Sequence, residues 1–152
     1  MRSWTRLKWI HLLVGIAGLL MFLATGMFMD RRLDHLAGMA DAPRALYRSA
    51  HSYILFSALL HFVLGVYLVR PASLALRVVQ YVGSALLLAS LAYFCVSFFV
   101  ETPLGLLERP MIRRGIMWSL GGVLLHGVAG LLPAGRGAVP SALHEPEPES
   151  HP

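Results

Sequence analysis

Four long apolar runs alternate with short charged connectors along this chain, over residues 9–29, 52–69, 78–100 and 115–132. Each holds about 18 residues or more without Lys, Arg, Asp or Glu, enough for an α-helix to cross a hydrocarbon core of roughly 30 Å. A bilayer interior offers a bare peptide group no water, so a spanning segment must be a helix or part of a closed barrel. The pattern predicts an all-α membrane protein: a four-transmembrane-helix antiparallel up-down bundle over residues 1–133. Residues 134–152, rich in Pro, Gly, Glu and Ser, are expected to be a disordered tail.

The connectors set the topology. Arg70-Pro71-Ala72-Ser73 is a tight reversal that makes the second and third runs antiparallel neighbours. The first connector is longer and has room for a short interfacial helix over residues 42–48. Glu101-Thr102-Pro103 closes the third run, and Arg109-Pro110 opens the fourth. Trp4, Trp9 and Tyr47 stand near span ends, where aromatic rings anchor at the headgroup level.

Charged residues are only 14% of the 152, and all thirteen Lys and Arg lie at span ends, in connectors or in the tail. Basic residues so placed fix topology and meet anionic headgroups, so the net charge of +5 does not argue for nucleic acid. The basic N-terminal flank, Arg2, Arg6 and Lys8, favours both termini in the cytoplasm. The first apolar run is too long for a signal-peptide core, and Pro43 directly follows the one cleavage-like triplet, Ala40-Asp41-Ala42. An uncleaved first helix is expected.

No acidic residue or lysine stands inside a run, and no run is broken by proline, which argues against ion-coupled transport. No buried acid is available for a catalytic triad, so catalysis by the chain alone is not expected. The lone Cys95 reads as a small apolar packing residue. Met21, Met27, Met29 and Met39 bring copper to mind, but Met27 and Met29 do not share a helix face.

The ionisable residues within the runs are histidines. Counted from the run midpoints, His61 falls within about 1 Å of the bilayer centre and His126 about 4 Å past it. His11 falls about 12 Å from its own midpoint, and His51 stands at the opposite interface. Gly115, Ser119, Gly122, His126 and Gly130 are expected on one helix face. Gly15 and Gly18 accompany His11, and Ser57 and Gly65 flank His61. Beside another metal or a proton relay, two readings stay open. The histidines sit in small-residue seams and hydrogen-bond Ser57, Ser84, Ser90 or Tyr93 on a neighbour, as membrane helices commonly pack. Alternatively, His61 and His126, with His11 as the weaker partner, hold haem b between two helices.

The segments ATGMFMD (24–30), LYRSAHSYILFSALLHFVLGVY (46–67) and LLERPMIRRGIMWSLGGVLLHGVAG (106–130) resemble a group of small four-span inner-membrane proteins of Gram-negative bacteria without an assigned function. The resemblance covers residues 9–132. It implies the bacterial inner membrane and transfers no residue role. The expected function is a non-enzymatic accessory or scaffolding subunit, meeting lipid and other membrane subunits, or itself, through Gly/Ser helix faces. The alternative is a b-type haem protein that passes electrons.

Overall fold

A computed structural model describes residues 2–71, 73–104 and 108–132. The expected tail therefore lies outside the described residues. Among those residues there are four α-helices and no strand: α1 (Arg2–Arg32), α2 (Asp41–Tyr67), α3 (Leu74–Val100) and α4 (Pro110–Leu131). The first three are long and apolar enough to cross a membrane. α4 has 22 residues, and its charge-free part begins only at Gly115 and is diluted by Gly, Ser and His.

Helices extend beyond the apolar runs that announced them. Charged residues at a helix end keep their backbone bonds while their side chains reach water. α2 starts at Asp41, eleven residues before the run at Ser52. The expected interfacial helix over 42–48 is simply its first two turns. Pro43 lies in the first turn, where no intrahelical donor is lost. Ser73 caps α3, its Oγ accepting from the Leu76 N–H at 3.2 Å. Pro110 begins α4 with the φ a first turn requires.

Between α1 and α2 the chain turns left-handed. Asp34, His35 and Leu36 have φ of 46°, 53° and 63°, and Gly38 has 70°. Asp and His tolerate this region better than Leu. Leu36 is held there by burial against an apolar cluster that includes Tyr47, Ile54, Phe94, Phe98 and Ile112. Tyr47, expected as an interface anchor, is part of this core and only 7% exposed.

α1 packs antiparallel on α2, and α3 on α4; α2 against α3 joins the two hairpins. Glycines set the close approaches. A Cβ on Gly15 would lie 2.7 Å from the Phe62 backbone nitrogen, and one on Gly65 2.7 Å from Leu12 Cα. In the other hairpin a Cβ on Gly122 would lie 2.9 Å from the Gly83 carbonyl oxygen, and one on Gly115 would strike the Phe94 ring. Gly130 has nothing within 4 Å, so the expected fourth-helix face ends at His126.

The interior is more polar than the surface. His11, Thr25, Ser57, His61, Ser90 and Ser97 are fully buried, whereas Leu13, Leu20, Phe56, Leu120 and Leu124 point outward. Water would penalise such an exterior, while lipid accepts it.

Candidate functional site

One polar node draws a side chain from every helix. His11 of α1 and His61 of α2 meet Nδ1 to Nδ1 at 2.8 Å, their rings stacked with centroids 5.0 Å apart. His11 Nε2 lies 2.9 Å from Ser84 Oγ of α3. The same Oγ lies 3.2 Å from Nε2 of His126 on α4. His11 and His61 are fully buried and Ser84 nearly so. A Cβ on Gly83 would stand 3.1 Å from His126 Cδ2, so this glycine makes room for the ring.

The node corrects the depth expected for His11. Measured from the helix midpoints, His11 lies about 9 Å, His61 about 10 Å and His126 about 8 Å toward the same end of the molecule. The apolar-run midpoints set His11 and His61 about 11 Å apart in depth, whereas their rings are in hydrogen-bond contact. His11 is therefore a direct partner of His61, in one layer with His126. Of the expected serine partners, Ser84 bonds histidine and Ser90 bonds the Leu87 carbonyl of its own helix. Ser57 Oγ has no partner, and Tyr93 meets the Trp118 ring edge-on.

Proton counting limits what the node can do. Each neutral imidazole has one N–H and one lone pair. With three neutral rings and one hydroxyl, the bonds can all point from His61 through His11 and Ser84 to His126, or all the reverse. Either polarity leaves one nitrogen at each end, and His61 Nε2 and His126 Nδ1 are the two without a hydrogen-bond partner of good geometry. The chain runs across the bundle within one layer. It ties α1, α2, α3 and α4 together.

A second histidine pair joins α1 to α2. His51 Nδ1 lies 2.9 Å from Thr25 Oγ, whose hydroxyl donates to the Phe22 carbonyl at 2.9 Å. The hydroxyl proton being used, His51 is the donor. Its ring stacks on Phe22 at 3.9 Å, with Gly26 beside it. Thr25 was not foreseen, although the α1–α2 register that pairs Gly15 with Phe62 also pairs residue 25 with 51.

Glu101 was also missed as a buried group. It is 7% exposed, and its carboxylate accepts the N–H groups of Met111 and Ile112, capping α4 from the end of α3. Arg109 donates to Ser49 Oγ at 2.8 Å and to Thr102 Oγ1 at 3.3 Å. Burial lowers the Arg109 pKa while Glu101 and Tyr53 oppose that shift. The signal in sequence was an acid, Glu101, at the start of the short connector that ends in Arg109-Pro110.

Among the described residues no group of three or more His, Cys, Asp or Glu is disposed to hold a metal ion. Met21, Met29 and Met39 pack against the apolar core, and Met27 points outward. Comparison with protein-family models, with curated proteins and with solved structures finds no match.

Proposed function

We propose that this chain is a non-enzymatic integral protein of the bacterial inner membrane, crossing it four times with both termini cytoplasmic, and acting as an accessory or scaffolding subunit. The observation that carries this reading is the node. Its hydrogen bonds join α1, α2, α3 and α4 to one another, which is a structural use of buried imidazole and needs no substrate. α4 measures about 33 Å at 1.5 Å per residue, of which the charge-free part, 115–131, is about 26 Å, so this reading sets Arg113 and Arg114 at the headgroups. Gly127 and Gly130 lie outside the internal seams and leave α4 an outer strip that a helix of another subunit can approach.

Reporter fusions after Gly38 and Leu104 should share one compartment, and fusions after Arg70 and Leu132 the other. In digitonin-solubilised membranes the protein should migrate in an assembly larger than one chain. A monomer at every detergent-to-protein ratio would remove the scaffold reading.

The alternative, bis-histidine haem b, is favoured by one observation: His126 Nδ1 has no hydrogen-bond partner and His61 Nε2 has none of good geometry, only the Leu87 backbone nearby. It requires His11 and Ser84, which stand between them, to move aside, and the Gly83–Gly122 approach to open. A reduced-minus-oxidised absorption spectrum of protein made with ample haem separates the two readings.

A further inference from the structure

Residues of α2 and of the first half of α4 line a gap that has two chemically different parts. The deeper part is an apolar cleft of about 320 Å³ walled by Tyr53, Phe56, Phe94, Ile116 and Leu120, with Ser119 at its side. The outer part is a basin of about 810 Å³ that shares Tyr53 and Ile116 with the cleft and carries Glu108, Arg109 and Arg113.

Three observations say what fits there. First, the basin presents two guanidinium groups. The Arg113 guanidinium is exposed and makes no side-chain hydrogen bond or ion pair among the described residues, whereas Arg109 already donates one N–H from each Nη, to Ser49 and Thr102, and keeps the others. Glu108 in the basin and the buried Glu101 beside Arg109 offset part of this charge, so exposed Arg113 is the main cationic contact. Second, the cleft is walled almost wholly by apolar surface, from Tyr53 and Phe56 to Ile116 and Leu120, which suits a hydrocarbon chain. Third, from Arg109 to Leu120 the helix advances about 16 Å, close to half of the roughly 30 Å hydrocarbon thickness. The gap is thus cationic at the interface, apolar below it, and one leaflet deep.

We infer that this gap is a binding site for one anionic phospholipid. Its phosphate meets Arg109 and Arg113, and one acyl chain lies between Tyr53 and Phe56 of α2 and Ile116 and Leu120 of α4. The lipid fills a space that the four helices leave open and rests on the reading that α4 spans the membrane. A free phosphate would use the basin alone and leave the cleft unfilled.

The test uses the full chain purified in dodecyl maltoside, with native mass spectrometry and thermal unfolding as readouts. Dioleoyl-phosphatidylglycerol should bind and raise the melting temperature, whereas dioleoyl-phosphatidylcholine and inorganic phosphate should not. Arg113→Gln should weaken phosphatidylglycerol binding about fivefold, the effect of roughly 1 kcal/mol per basic residue at an anionic surface. Ile116→Trp, which fills the cleft, should weaken it without touching the charges. Replacing Arg31 and Arg32 by Gln, at the same end but outside the gap, should leave binding unchanged. Equal binding of the two lipids, equal loss in the Arg31/Arg32 variant, or full effect from phosphate would each overturn the inference. Membrane insertion is scored apart: a wild type recovered without detergent would reject the four-span reading itself.

Discussion

His11 and His61, fifty positions apart, face each other Nδ1 to Nδ1 at 2.8 Å in the interior of the protein. Only one proton can occupy that line, so the two rings must hold opposite tautomeric roles there. Such a bond lets each polar ring satisfy part of the other's demand where no water is available.

The first prediction concerns this pair. His11→Ala and His61→Ala should each destabilise the detergent-solubilised protein, and the double variant should lose less than the two losses added. A coupling of about 0.5–2 kcal/mol is expected for a hydrogen bond between membrane helices. Additive losses in denaturant unfolding would show that the bond contributes nothing.

Ser84 separates the node from a simple histidine pair. Ser84→Ala removes the bridge to His126 while leaving the His11–His61 contact in place. We expect a loss of about 1–2 kcal/mol, because two ring nitrogens are left without partners in the interior. Thermal unfolding indistinguishable from wild type would mean that water or another group already serves those nitrogens.

The glycine seam is tested by contrast. A side chain at Gly122 would strike Leu87 Cγ, which lies 2.7 Å from the Cβ position, whereas Gly130 faces open space. Gly122→Leu should cost about 1–3 kcal/mol through overpacking. Gly130→Leu should be near neutral for the isolated chain. The same cost at both sites would contradict the arrangement of α4 on α3.

Glu101 provides the fourth prediction. Glu101→Ala strips the two first-turn N–H groups of α4 of their acceptor, with an expected loss of about 1–2 kcal/mol, as for other helix caps. Glu101→Gln should recover part of it, because the amide oxygen still accepts one bond. Hydrogen exchange at Met111 and Ile112 should accelerate in the alanine variant; unchanged exchange there would exclude the cap.

The sequence alone determined the number of helices, their order and the apolar character of their surfaces. These follow from the length of apolar stretches between charges, a local property that each segment carries by itself. It also marked Gly15, Gly18, Gly115 and Gly122 as close-approach positions, since small residues at helical spacing have few other uses in membrane helices. It did not determine which histidines meet. Charge-free length is not helix length: α2 continues back through Arg48 and Arg44 to Asp41, and the close approaches of Gly15 to Phe62 and Gly65 to Leu12 set its register against α1. Rotation of each helix about its axis then decides that His11 reaches His61 and Ser84, and that His51 finds Thr25 instead. Partner choice depends on the relative depth and rotation of helices distant in sequence, which are set only when all four pack together.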